Sequence, residues 1–349
     1  MSLVTGQIPL VPPRPADRPG ERIKVAALGG GHGLSASLSA LRRLTPDITA
    51  IVTVADDGGS SGRLRAEYDV LPPGDLRMAL AALCDDSDWG RTWRDVMQHR
   101  FRGTGPVPSS LENHALGNLL IVTLWELLGN PVDGLKWAGA LLGARGTVLP
   151  MSTTPLTIRG SVRDEVEGDG VSLRQVDGQA NLAHASRFGS IQSVEIEPAD
   201  APACREALDA IELSDWVVLG PGSWYTSILP HVLLPELRRA LEATTANRLL
   251  TMNLRTQTRE TPGMSAADHL EVFHRYAPEL RIDAVLVDPS VVEDVEEFRA
   301  AAARLGATCF FDKVGAATGR AVHSPLRLAN AYHDVFTSFC SRDTGSEEP

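Results

Sequence analysis

Lysine is scarce in this chain of 349 residues, and no block of lysine or arginine forms anywhere along it. With a formal net charge of −11, that absence excludes a nucleic-acid footprint and attraction to an anionic membrane. Arginine is common throughout, so an arginine inside a motif counts for less as a sign of phosphate binding. Cysteine is sparse too: Cys84, Cys204, Cys309 and Cys340 lie far apart and form no C-x-x-C pair. Neither a zinc site nor a disulfide framework is expected, and buried reduced thiols are. Apolar runs stay well short of the roughly 20 residues a membrane-spanning helix requires. The opening segment, MSLVTGQIPLVPPRPADRPGE, lacks a hydrophobic region of signal-peptide length. These absences predict a cytoplasmic protein without membrane insertion. Residues 1–22 read as a Pro-rich arm, disordered or loosely attached, and 339–349 as a polar, disordered tail.

What lies between them is α/β in pattern. The run IKVAALGGGHGLSASLSALRRL reads as strand, glycine turn and helix, with Leu34, Leu38, Leu41 and Leu44 at helical spacing. ITAIVTVA supplies a second strand and completes the β-α-β unit of doubly wound sheets. Trp89–Arg100, His114–Leu128 and Lys136–Leu142 read as further helices. Between about residues 146 and 198, TVLPMS, LTIRGSVRDEVEGDG, VSLRQVDG and SVEIEPAD alternate with Gly and Asp turns, which predicts a hairpin-rich insertion. Strands DWVVLG, RLLTMN, IDAVLVD and ATCFFD follow, separated by helical stretches. One α/β domain over 23–338, with a doubly wound and mostly parallel sheet, is the expected fold.

In such a sheet the strand-to-helix loops leave from one edge, where ligands bind at the topological switch point. The first loop, GGGHGLSA, holds Gly30, Gly31, His32 and Gly33. Gly31, Gly33 and Ala36 fit G-x-G-x-x-A, and Asp56 follows at a distance suited to a ribose hydroxyl. Glycines let a backbone approach a pyrophosphate, and the next helix offers its N-terminal N–H groups. A tight turn is the plainer alternative, and His32 reads as a hydrogen-bonding loop residue.

The second loop, ADDGGSSGRLR, ends an apolar strand in two acids, which a plain turn does not need. Asp56 and Asp57 suit a ribose or a hydrated Mg²⁺ near phosphates. The N–H groups of Gly59 to Gly62 and the hydroxyls of Ser60 and Ser61 are donors for anionic oxygens, with Arg63 beside them. The third loop, GPGSWYTSILP, sets Gly220 and Gly222 before Ser223, Thr226 and Ser227. Helix capping alone requires one of those hydroxyls. The fourth, MNLRTQTRETPG, carries Asn253, Gln257, Thr258 and Glu260 and reads as a polar recognition loop or a solvated one. Asp75 and Arg77 stand at a helix start, where an acid favours the dipole in any case. His114 and Asn118, four apart, are expected on one face of an apolar helix, where a buried Asn needs a partner or a ligand.

Taken in order, GGGHGLS, DITAIVTVADDGGSSGRLR, LPPGDLRMAL, HALGNLL, GPGSWYTSILP and TRETPGMSAADH resemble the YvcK-like family, the so-called gluconeogenesis factors, which are related to the CofD 2-phospho-L-lactate transferases. The resemblance runs from Ile23 to about Phe336. It implies a Rossmann-like fold and a cytoplasmic protein that binds uridine-diphosphate sugars, UDP-N-acetylglucosamine in particular. It further implies support of cell shape, of peptidoglycan precursor supply and of growth on gluconeogenic carbon, and phosphorylation near the C-terminus by Ser/Thr kinases. The chain departs from the pattern at His32, where the family has Thr, and at Met78, where it has Asn. NLRTQTRET stands for NVMTQPGET, with Gln257, Glu260 and Thr261 kept, and VHS stands for RHD, with His323 kept.

Three functions follow from these readings. The leading one is a regulatory protein that binds a nucleotide sugar without turnover. The alternative is a CofD-like, metal-dependent phosphotransferase, with Asp56 and Asp57 as candidate Mg²⁺ ligands. The third, resting on G-x-G-x-x-A alone, is a nicotinamide-dependent oxidoreductase. No catalytic residue is assigned, and a homo-oligomer is left open.

Overall fold

The computed structural model describes residues 22–103, 109–166, 170–186, 189–256, 260–317 and 321–343. Residues 1–21 and 344–349, with nearly all of the expected arm and part of the expected tail, lie outside these, as does Gln257. Among the described residues no helix is long and apolar enough to cross a membrane.

Seven strands form a parallel sheet. β1 (Val25–Gly29) stands in its middle, flanked by β2 (Ile48–Val52) and then β3 (Thr147–Pro150). On the other side lie β7 (Trp216–Leu219), β8 (Asn247–Thr251), β9 (Ala284–Val287) and β10 (Thr308–Phe311). These strands are short apolar runs, and β1, β7 and β9 are buried at every position, as parallel strands covered by helices must be. Leu28 pairs with both Ile51 and Leu219, so the chain leaves β1 in one direction and later returns on its other side at β7. The switch point is the β1/β7 boundary, the place where sheets of this kind bind ligands beyond the carboxyl ends.

Among the described residues ten α-helices precede β8. They are α1 (Gly31–Leu41), α2 (Gly59–Tyr68), α3 (Pro73–Leu83), α4 (Asp88–Gln98), α5 (Leu116–Leu128) and α6 (Pro131–Leu142). After them come α7 (Gln179–Ala185), α8 (Arg205–Glu212), α9 (Leu229–Leu233) and α10 (Pro235–Ala243). α11 (Ala266–Tyr276), α12 (Val295–Arg304) and α13 (Pro325–Asp343) complete the chain.

Several boundaries differ from the sequence reading, each for a local reason. TVLP was expected in the insertion, but β3 pairs in parallel with β2 and is buried at three of its four positions. Alternation starts only after it: β4 (Thr157–Val166), β5 (Gly170–Asp177) and β6 (Gly189–Glu197) form a separate antiparallel sheet, and Ile191, Val194 and Ile196 are the buried positions of β6. Leu182 of α7 seats over Gly160 of β4, where a Cβ would collide with it. α6 begins at Pro131, earlier than Lys136, because Asn130 caps it by accepting from the N–H of Val132 at 2.8 Å. His114 stands before α5, in a turn where Asn113 adopts a φ of 63° and Phe101 N–H bonds to the His114 carbonyl. The expected Gly-Ser loop is instead the first turn of α2, entered through Gly59 at a φ of 50°.

The C-terminal boundary also moves. Residues 339–343 belong to α13, and Phe336 and Phe339 of that helix pack on Trp216, with ring centroids 4.5 and 5.3 Å away. Aromatic burial on β7 outweighs the polar composition of the segment.

Candidate functional site

Two loops cross at the switch point. Gly29 continues the ladder by accepting from Thr53 N–H at 2.9 Å, and Gly220 N–H bonds to the Leu28 carbonyl at 3.0 Å. α1 then starts directly at Gly31, whose φ of 56° suits glycine. Gly33 sits in its first turn against Pro221, and any Cβ there would strike the Pro221 carbonyl. Gly33 therefore serves loop-to-loop packing, although it holds the second-glycine position of the fingerprint. The β7 loop is fastened from the far side as well: Asn253 accepts from Gly222 N–H at 2.9 Å and donates to its carbonyl at 2.7 Å. Ser37 donates to the Gly220 carbonyl at 2.8 Å. Gly220, Gly222 and Asn253 thus meet at the switch point, with Asn253 as the clamp.

Side chains converge on Gly30. A Cβ there would lie 2.5 Å from Asp75 Oδ2 and 3.3 Å from Ser227 Oγ. The Asp75 carboxylate accepts from Gly31 N–H, so α1 already meets an anion of the protein's own. Burial, and next the charge of Asp56, raise Asp75 to about 7. Burial is likewise the main cause that raises Asp56, which accepts from Gly58 N–H at 2.9 Å and is bonded by Ser61. Gly74 makes room for this contact, since a Cβ there would overlap Ser61 Oγ and lie 3.4 Å from Asp56 Oδ2. The charge of Asp56 acts on Asp75, and that of Asp57 acts in turn on Asp56. Asp57, its neighbour in sequence, turns away: Oδ1 accepts from Ala180 N–H at 2.9 Å, and Oδ2 lies where a Cβ of Gly178 would be. It caps α7 and ties the small sheet to the large one.

α2 brings a second helix N-terminus to the cleft. Its N-cap is Gly58, which has no side chain, and the first-turn N–H groups of Gly59, Ser60 and Ser61 have no intrahelical acceptors. The Ser60 hydroxyl is engaged from behind. His114 Nδ1 is 3.1 Å away and Asn118 Nδ2 donates to it at 3.0 Å. Buried Arg77 donates to Asn118 Oδ1 at 2.8 Å and bonds Gln98. Burial, followed by Arg100, lowers the Arg77 guanidinium to about 10. Asn118 hence positions Ser60, and the expected His114–Asn118 pairing survives although His114 is outside the helix.

Other sequence candidates point elsewhere. His32 is exposed on α1, and Arg63 is exposed and donates to the Glu112 carbonyl at 2.6 Å. Ser223 is exposed, and its carbonyl opens the π-helical turn Trp224–Ile228 by accepting from Ser227 and Ile228 N–H. Thr226 is buried beneath that turn and donates to Glu260 Oε1 at 2.7 Å. Burial raises the Glu260 carboxyl, against the hydrogen bonds from Thr226, from Tyr225 N–H and from the Ser223 side chain, and its Oε2 has no partner among the described residues. Glu260 braces the turn from inside the protein. Sequence reading missed His231, buried between the Ser227 and Ile51 carbonyls at 3.1 Å each, with its pKa lowered to about 4 by burial. It lies four residues past Ser227, the last of the quoted loop hydroxyls, on a helix whose apolar pattern gave no signal.

Comparison with known proteins agrees with this architecture. The family model described as 2-phospho-L-lactate transferase CofD matches residues 25–318. A putative gluconeogenesis factor of Mycobacterium tuberculosis is 48% identical over 328 residues, 93% of this chain and 92% of the relative. The gluconeogenesis factor of Halalkalibacterium halodurans is 38% identical over 271 residues, covering 77% and 79%. A crystal structure of a UPF0052 family member from Bacillus halodurans superposes with a TM-score of 0.78 at 33% identity, covering 89% of this chain and 98% of that one. With a family model over residues 25–318 and relatives of this identity and extent, the chain belongs to the CofD family and, within it, to the gluconeogenesis factors.

Proposed function

We propose that the chain is a cytoplasmic regulatory protein that binds a uridine-diphosphate sugar, UDP-N-acetylglucosamine, at the β1/β7 switch point. Its role would be to couple peptidoglycan precursor supply and cell shape to growth on gluconeogenic carbon. The observation that carries this reading is the crossing of two fastened glycine loops beside the open N-terminus of α2. That combination suits a diphosphate, which needs close backbone approach and unpaired N–H donors. Recognition by a Ser/Thr kinase near the C-terminus belongs to the same proposal.

The ligand brings negative charge toward Asp56 and Asp75. Two carboxylates with phosphate oxygens and waters are a fitting donor set for Mg²⁺. The second reading, a CofD-like transferase, draws on the same two acids, since a bound Mg²⁺ supplies Lewis-acid stabilisation of a transferring phosphoryl group. No observation favours the nicotinamide reading.

Calorimetry with UDP-N-acetylglucosamine, UDP-glucose, GDP and NAD, each with and without Mg²⁺, tests the proposal. Saturable binding of the UDP-sugar, and its recovery intact after hours with candidate hydroxyl acceptors, is the expected result. Nucleotide release dependent on an acceptor would select the transferase, and no UDP-sugar binding in either condition would reject both the ligand and the site.

A further inference from the structure

Three serines stand at alternate positions of α1, and two of them behave as helix serines usually do. Ser35 donates to the Gly31 carbonyl at 2.9 Å and Ser39 to the Ser35 carbonyl at 2.7 Å, each four residues back along the helix. Ser37 instead donates across to the Gly220 carbonyl at 2.8 Å. Its oxygen lies 2.5 Å from the hydroxyl of Tyr332 on α13, and that hydroxyl lies 3.1 Å from Thr251 Oγ1 at the end of β8. All three side chains are cut off from solvent.

The direction of this chain follows from its protons. Each hydroxyl has one to donate, and the Gly220 carbonyl can only accept. Ser37 gives its proton to Gly220, so Tyr332 must be the donor to Ser37. Tyr332 then has none left, and Thr251 must be the donor to Tyr332. Burial pushes the Tyr332 phenol up to about 12, so it carries its proton at neutral pH. The result is a one-way relay from Thr251 through Tyr332 and Ser37 to Gly220, in which each bond polarises the next.

The relay starts two residues before Asn253, the clamp on Gly222, and ends on Gly220. Residues from β8 onward thus grip both ends of the Gly220–Gly222 turn, and at the Gly220 end α13 is the intermediary. Between the grips lies Pro221, whose carbonyl fills the space that a Cβ of Gly33 would need. Its placement decides how closely the first turn of α1 is approached. The rest of α13 is held by packing: Tyr332 stacks on Phe336 with centroids 6.1 Å apart, and Phe336 and Phe339 cover Trp216 at the start of β7.

We propose that Tyr332 is a positioning residue for the nucleotide site, and that α13 sets ligand affinity through this relay from outside the site. The proposal rests on the switch point being the UDP-sugar site. Tyr332 is fully buried and acts through Ser37, fixing the Gly220 carbonyl and with it the β7 loop. Linkage is reciprocal, so a ligand seated against that loop strengthens the docking of α13.

Tyr332→Phe tests this, since it removes the middle oxygen of the relay and keeps the ring. Calorimetry well below the melting temperature, where every variant is folded, should show UDP-N-acetylglucosamine bound about five-fold or more weakly. Ser37→Ala should do the same, and the double variant should bind no more weakly than Ser37→Ala alone, because the two hydroxyls act as one chain. Phe339→Leu loosens α13 on Trp216 outside the relay; it should lower the melting temperature and leave affinity within about two-fold. Unchanged affinity in Tyr332→Phe, equal weakening in Phe339→Leu, or additive losses in the double variant would overturn the proposal. Hydrogen exchange without ligand separates this proposal from the site reading. Gly220 and Gly222 N–H should exchange faster in Tyr332→Phe than in wild type or Phe339→Leu, and equal exchange in all three would overturn the relay. A wild type that binds no UDP-sugar yet shows that faster exchange would overturn the site reading and keep the relay.

Discussion

Replacing Asp75 with Asn tests how the cleft is set electrostatically. The Asp75 carboxyl has an ordinary value of 3.8 and is raised to about 7 by burial and by Asp56. Between those two values the folded protein holds a proton that the unfolded chain has released. Each unit of rising pH across that window therefore costs stability, about 1.4 kcal/mol per unit when fully developed. The full window of about three units amounts to roughly 4 kcal/mol, an upper bound that solvent entry and side-chain relaxation reduce. The stabilising, protonated form is complete below about pH 4 and lost above about pH 7. Asn keeps the size and still accepts from Gly31 N–H, but carries no charge to penalise. Denaturant titrations should give equal stability for wild type and Asp75→Asn near pH 4. At pH 8 the variant should be more stable by about 2–4 kcal/mol, while Mg²⁺-dependent ligand binding falls. A variant less stable than wild type at pH 8, or a difference that does not change with pH, would refute the argument.

The other predictions concern contacts that were misread or invisible in one dimension. Asp57→Ala should cost about 1 kcal/mol, the value of a lost helix cap, and speed hydrogen exchange at Ala180 N–H without altering the Mg²⁺ dependence of ligand binding; a lost Mg²⁺ effect would return Asp57 to the cleft. Gly33→Ala should destabilise by about 2 kcal/mol or more, because the new methyl meets the rigid Pro221 carbonyl; a wild-type melting temperature would contradict that packing. Thr226→Val should cost about 1–3 kcal/mol by removing one of the donors to the buried Glu260 carboxyl, and Glu260→Leu in the same chain should recover part of it. Strictly additive losses in that double-mutant cycle would mean the two groups do not act together.

The sheet was largely legible because β1, β7, β9 and β10 are short apolar runs ended or followed by glycine or an acid, and because β-α-β order dictates one loop-bearing edge. β3 was assigned to the insertion because four residues are too few to show whether a strand is buried on both faces. The site residues were recognisable by type but not by partner. Adjacent acids suggested an Asp56–Asp57 pair, yet successive side chains leave an extended chain on opposite sides, and Asp57 finds α7 more than a hundred positions later. Asp56 finds Asp75, which the sequence explains equally well as a dipole-favoured helix start. The hydroxyls of Ser60 and Thr226 fitted a ligand because nothing local revealed Asn118 or Glu260 behind them. Gly33 was read as a glycine for close approach to a pyrophosphate, and its contact, Pro221, lies on a strand-end loop nearly two hundred residues away.

The fastening of the β7 loop has a kinetic consequence. Gly220 gives its N–H to Leu28 and receives Ser37 on its carbonyl, while Asn253 holds both backbone groups of Gly222. Those groups are occupied before any ligand arrives, so the loop forms a wall that cannot fold over its guest. Little ordering entropy remains to be lost there on association. Encounter should be limited by orientation and by charge repulsion at the acids, without a slow closing step, and progress curves of binding should be single exponentials whose rate rises linearly with ligand concentration. Discrimination among ligands must then reside in how fast they leave.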